Sequence, residues 1–192
     1  MTDYKIWLGY LSTLIAFIAF APYFWDVYKG TTKPHAFSWL IWTILQAIGF
    51  AAQVYGHAGP GAWATGLSGL FCLIIAVVAF KKGEIKFVTF DWVALVGAFL
   101  AIILWLLTKN PFYSVLLISV CDFIGFLPTY RKAYHLPFTE TLSEYGLSSI
   151  KEVVAILALR TFSFITTFYI ASLAISNLVF VSMVLVRRRK LK

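Results

Sequence analysis

The chain has 192 residues, of which 61% are hydrophobic, 18% aromatic and only 12% charged. A soluble domain is typically about 45–50% apolar and about 25% charged, so this composition excludes a disordered chain, a collagen-like repeat, a disulfide scaffold and an ordinary cytosolic enzyme. The net charge of +8 sits at the ends of apolar segments, where it reads as a topology signal and not as a nucleic-acid surface.

A membrane-spanning helix needs about 20 mostly apolar residues. In chain order, such segments run over Ile6–Val27, Ala36–Tyr55, Ala62–Phe80, Phe90–Leu107, Phe112–Tyr134, Thr141–Thr161 and Phe168–Val186. The first is too long and too aromatic for a signal-peptide core, and no small-residue cleavage site follows it, so it is kept as a true span. The sixth is interrupted by Lys151, Glu152 and Arg160, and Phe162–Phe168 makes a poor loop by composition. Cys72 and Cys121 both lie inside apolar runs, which suggests no disulfide framework.

An internal repeat orders these segments. At an offset of 106 residues, Phe17-Ile18-Ala19-Phe20-Ala21-Pro22 falls on Phe123-Ile124-Gly125-Phe126-Leu127-Pro128, and Tyr28 falls on Tyr134. The same offset puts Lys81-Lys82 on Arg187-Arg188 and the loop Gly56–Gly61 on Phe162–Thr167. Segments one to three thus repeat as five to seven, and the fourth has no counterpart. The expected fold is an all-α polytopic membrane protein of seven helices. Residues 1–89 form a first three-helix repeat, 90–108 a linker helix, and 109–192 a second three-helix repeat with a basic tail.

With seven spans, twelve lysines and arginines fall on one side of the membrane, in the loops around Lys29, Lys81 and Arg131 and in the tail Arg187–Lys192. The other side holds Lys5, Lys109 and Arg160. The positive-inside rule then puts the N-terminus outside and the C-terminus in the cytoplasm. The tail reads as a topology anchor that can touch anionic lipid heads. Two three-helix units share one orientation only if an extra crossing joins them, so the repeat is parallel.

The proline near the end of each unit's first helix, Pro22 and Pro128, is followed by a short basic loop, Tyr28-Lys29-Gly30-Thr31-Thr32-Lys33 and Tyr130-Arg131-Lys132-Ala133-Tyr134-His135. In these features, and in two three-helix units joined by one helix, the chain resembles the PQ-loop or MtN3 (SWEET-like) transporter superfamily, in the manner of a bacterial-type seven-helix member. The residue after each proline is Tyr23 or Thr129, where the family motif has glutamine. The resemblance implies a transporter that works by alternating access around a midplane site between parallel repeats. The superfamily also includes a fold-related sorting receptor, so a membrane receptor or regulatory binding protein without net transport is the alternative.

Polar groups at membrane depth are costly and therefore informative. Asp122 lies near the centre of the fifth segment, Lys151 and Glu152 in the middle of the sixth, and Asn177 in the middle of the seventh. Their counterparts in the first unit are Ala16, Leu45, Gln46 and Phe71, of which only Gln46 is polar. The expected substrate site is therefore asymmetric. It takes Asp122, Lys151, Glu152 and Asn177 from the second half, and Gln46 and Trp42 from the first.

Two readings of these charges stand side by side. Asp122 pairs with Lys151 as a structural bridge, or one carboxylate stays free to bind a cation or take up a proton, which would make transport proton-coupled. Lys151 and Glu152 are adjacent, so their side chains are expected to diverge by about 100° around the helix. Ser148 and Lys151, three apart, are neighbours on one helix face; Glu144, one turn before Ser148, is placed at the cytoplasmic mouth, and Trp39 in the interfacial belt. Pro22 and Pro128 interrupt the helical ladder and are candidate hinges, with a static kink as the alternative.

His57 reads as a turn residue, and His35 and His135 as loop residues without metal-ligand spacing. No nucleotide loop, nucleophile elbow or catalytic carboxylate pair is present, and the last segment lacks the lysine a retinal protein needs. The reading is of a non-enzyme without metal or cofactor, in a bacterial inner membrane. Its expected partners are the lipid bilayer and a small polar solute, such as a sugar, amino acid or vitamin-like metabolite, with no nucleic acid. A homo-oligomer is compatible with this.

Overall fold

The computed structural model describes residues 3–30, 34–83, 89–139 and 142–191. Lys33, Lys86 and Lys192 of the basic segments, and Thr141 of the sixth apolar segment, lie outside them. The described residues form seven α-helices. These are α1 (Tyr4–Lys29), α2 (Ala36–Tyr55), α3 (Trp63–Lys82), α4 (Thr89–Thr108), α5 (Phe112–His135), α6 (Leu142–Leu157) and α7 (Phe164–Lys190). Short 3₁₀ turns precede α3 at Gly59–Ala62 and α6 at Pro137–Thr139. All of these helices but α6 are long and apolar enough to cross a membrane, and the chain is an integral membrane protein.

Local chemistry sets the helix ends. Asp3 caps α1, its side chain accepting from the Lys5 amide at 3.1 Å. At the other end Gly30 adopts φ 74°, a left-handed conformation that glycine reaches without Cβ strain, and its N–H caps the carbonyls of Asp26 and Val27. Pro22 lies inside α1, and position 128 falls inside α5.

One expected loop is helical. The segment Phe162–Thr167, aligned by the repeat with Gly56–Gly61, already belongs to α7 from Phe164 onward. Ser163 and Thr166 form a reciprocal capping box that starts the helix early. The true break is at 158–163, and α6 ends at Leu157, four residues before the expected Thr161. In the first half the corresponding break is made by Gly-Pro-Gly at 59–61. The 106-residue offset therefore does not hold at this end of the bundle.

The packing has a consistent order. α3 packs against both α1 and α2, and α7 packs against both α5 and α6. The two groups meet where α1 lies on α6 and where α2 lies on α5. α4 packs on α5 and on α2. Small residues allow the close approach of α4: Ala94, Ala98 and Ala101 are buried on one stripe, and a Cβ built on Gly97 would stand 2.1 Å from Cys121 Sγ. The main core joins Leu45 and Ile48 of α2, Ile118 of α5 and Tyr169 of α7. Leu14, Phe17, Val96, Leu106 and Ile175 point outward, as an apolar surface facing lipid requires.

Some ring contacts recur at the 106-residue offset. Phe20 meets Trp39 with centroids 6.3 Å apart, and Phe126 meets Tyr145 at 5.7 Å. Phe20 meets Phe24 at 6.4 Å, and Phe126 meets Tyr130 at 4.9 Å. Each residue of the second pair stands 106 positions after its counterpart in the first.

Candidate functional site

The bundle has two ends. One, the basic end, carries the last turns of α1, α3, α5 and α7. The other carries Asp3, the turn at 56–62 and the break at 158–163. Between them lies a cavity of about 550 Å³. Its wall contains all six residues nominated from sequence: Trp42, Gln46, Asp122, Lys151, Glu152 and Asn177. They come from α2, α5, α6 and α7, so the cavity sits between the two helix groups. From this depth the lining continues to His35, Ser38, Thr129 and Glu144, at the starts of α2 and α6 and the last turns of α5. The cavity therefore reaches the basic end.

Helices α1, α2 and α3 supply an aromatic wall. Trp39 Nε1 donates to Tyr23 Oη at 3.1 Å, which holds both rings in place, and Trp42 stands edge-on to Trp39 at 5.1 Å. Trp39 is buried in this cluster, with Phe20 and Phe71, and is not an interfacial belt residue. Tyr130 Oη anchors the second half by donating to the Ser176 carbonyl.

Lys151 and Glu152 are both buried, at 3% and 2% exposure. Lys151 Nζ lies 2.9 Å from Glu152 Oε1, and donates to Ser68 Oγ at 3.0 Å. The adjacent side chains thus converge. A lysine long enough to turn back reaches its neighbour's carboxylate, and the low-dielectric interior rewards that contact more than separate orientations. The expected Asp122–Lys151 bridge does not form. Among the described residues Asp122 makes no hydrogen bond or ion pair, and it borders the cavity half-buried.

Sequence reasoning missed several residues here. Ser68 lies 83 positions from Lys151 and sits in an apolar helix; its only signal is the small-polar stripe Thr65-Ser68-Cys72 at helical spacing. His35 is more than a loop residue. Its Nδ1 accepts from the Ser38 amide at 3.3 Å, and Ser38 Oγ donates to Asp91 Oδ1 at 3.2 Å, with His35 Nδ1 3.9 Å from Asp91 Oδ2. This trio ties the start of α2 to the start of α4 beside the cavity mouth.

At the opposite end α1 is tied to the 158–163 segment, beside a separate cavity of about 500 Å³ bordered by Ile6, Phe50, Trp63 and Arg160. Lys5 Nζ donates to the Leu159 carbonyl at 2.6 Å, and Arg160 Nη2 pairs with Asp3 Oδ2 at 2.8 Å. The Arg160 amide donates to Ala58 O at 2.9 Å, and the Arg160 stem covers Gly59 so closely that a Cβ there would meet its Cδ at 2.7 Å. Pro60 seats against Gly9 of α1 in the same way. His57 stands in the turn here, with φ 58°.

No family model, curated protein or solved structure matches the chain.

Proposed function

We propose that this protein is a transporter of a small polar solute, built as two three-helix repeats joined by α4 and working by alternating access. One observation carries the reading. A cavity lined by Trp42 and Gln46 from one half, and by Asp122, Lys151, Glu152 and Asn177 from the other, reaches the basic end while α1 is tied to the 158–163 segment at the opposite end. A binding site at the junction of two helix groups, reached from one side only, is what alternating access requires.

The helix order supports the repeat, since α3 and α7 occupy equivalent places and the ring pairs recur at the 106-residue offset. It also supports kinship with the PQ-loop, SWEET-like superfamily. In this reading α6 is the seventh crossing. Its 16 residues fall short of the hydrocarbon core, and the buried, hydrogen-bonded backbone of Ala158 and Leu159 completes the depth. The basic end faces the cytoplasm, so the conformation is inward-facing. Pro22 and the proline at 128 are the hinges of each half. The mixed charges suit a zwitterionic or strongly hydrogen-bonding solute.

The test has two steps. A thermal-shift screen against sugars, amino acids and nucleosides identifies a stabilising solute. Uptake of that solute into proteoliposomes then decides the function. Protein-dependent flux supports transport; stabilisation without flux overturns it in favour of a receptor.

A further inference from the structure

From the cavity wall toward the Asp3 end, several buried side-chain atoms have no hydrogen-bond partner. They are Gln46 Oε1, Glu152 Oε2, Thr65 Oγ1, Tyr169 Oη and both amide atoms of Gln53. Buried polar groups in folded proteins are nearly always satisfied, so a set of this size demands a reason. In a helix bundle packed against lipid, replacing them by apolar groups would be the easier solution.

These atoms are organised and not scattered. Gln46, Gly49 and Gln53 are spaced i, i+3, i+7 and share one face of α2; Thr65, Ser68 and Cys72 share one face of α3 by the same rule. The Tyr169 ring lies against Gly49, where an added Cβ would stand 2.5 Å from its Cδ1, so the ring sits between the two glutamines. Ser68 is held by Lys151, which fixes the α3 stripe against α6 at the level of the charged pair. From Gln46 to Gln53 the stripe runs two helical turns, about 10 Å, toward the Asp3 end. It finishes beneath the closure itself: the Gln53 carbonyl accepts from the Ala58 amide, and the Ala58 carbonyl accepts from Arg160.

We infer that Gln53, Thr65 and Tyr169 line a second cleft, which opens to the Asp3 side when α1 releases the 158–163 segment. In the closed conformation their polar atoms face one another's helices without partners. In the open one they meet water and the solute. Their unpaired state then favours the change, so the stripe lowers the free-energy gap between the two conformations. All three offer uncharged donors and acceptors. They suit a solute that presents hydroxyl or amide groups to this part of its path. The inference rests on the transport reading above and adds the outward half of the path.

Cysteine accessibility tests it. In a Cys72→Ala/Cys121→Ala background, Thr65→Cys and Gln53→Cys are placed singly and treated with a membrane-impermeant thiosulfonate added from the Asp3 side of sealed vesicles. Both positions are expected to react. Reaction is expected to quicken at least about fivefold when Arg160→Ala is added, because weakening the closure raises the open population. Absence of reaction from that side, with and without Arg160→Ala, overturns the inference. Thr65→Cys changes little volume and keeps the test valid if Gln53→Cys does not reach the membrane. Solute uptake is measured in parallel. Flux with unreactive cysteines overturns the cleft and leaves transport standing; reactive cysteines without flux support the cleft and tell against transport.

Discussion

Lys151 and Glu152 are neighbours in sequence and partners in space: the ammonium lies 2.9 Å from the carboxylate, both nearly fully buried. Ser68 takes a further hydrogen of the ammonium from the facing helix. Removing one partner of such a pair leaves an uncompensated charge, at a cost of about 3–5 kcal/mol, whereas removing both together costs far less. Lys151→Met is therefore expected to lower the unfolding midpoint strongly, and Lys151→Met/Glu152→Gln to recover most of the loss. Thermal unfolding in detergent reads both. Equal stability of the single and double variants would refute the pair as a unit.

Asp122 has a different character. It borders the cavity and makes no hydrogen bond or ion pair among the described residues, so no direct contact of its carboxylate holds the fold. Asp122→Asn is expected to leave the unfolding midpoint within about 1 kcal/mol of the parent, as substitutions away from packed or paired features do. Solute uptake is expected to fall at least tenfold. A strong loss of stability with unchanged uptake would assign Asp122 to structure instead.

Gln46 presents a buried acceptor with no partner. An unsatisfied buried polar atom costs about 1–3 kcal/mol, so Gln46→Leu is expected to match or exceed the parent in stability. If the protein transports a solute as proposed, uptake is expected to drop, because Gln46 borders the cavity. The paired readout of melting temperature and flux distinguishes this from ordinary damage, which lowers both.

Gly97 sits where α4 meets α5, and an added Cβ would lie 2.1 Å from Cys121 Sγ. Gly97→Ala is expected to destabilise by about 1–3 kcal/mol through overpacking. Cys121→Ala removes the opposing sulfur, so the double variant is expected to recover. Failure of that rescue would show that backbone, and not the sulfur, sets the helix separation.

Much of this architecture was legible in the sequence because lipid enforces simple rules. α2 matches its expected span to the residue, and the other long helices differ by a few residues at their ends. The six residues nominated for the substrate site border one cavity, since polar groups at membrane depth have few places to go, whereas the nominated hinge Pro22 does not line it. What escaped was set by contact between distant segments. Ser68 is one hydroxyl among many until Lys151 reaches it. The convergence of Lys151 and Glu152 follows from side-chain length, which helical angles ignore. The early start of α7 came from two hydroxyl residues, Ser163 and Thr166, whose capping geometry begins the helix where the repeat alignment placed a loop. Trp39 carries the composition of an interfacial residue but is fixed inward by Tyr23.

The closure at the Asp3 end has a biosynthetic consequence. Asp3 meets Arg160 across 157 positions, and Lys5 meets Leu159 across 154. While the chain emerges from the ribosome, α1 is in place long before its partner surface exists. The face of α1 that packs on α6 must wait in lipid until α6 arrives. The contact of α1 with α6 is therefore a late step of synthesis, and a chain stopped after α5 leaves that face of α1 unpaired, the kind of surface that quality-control proteases in the membrane encounter first.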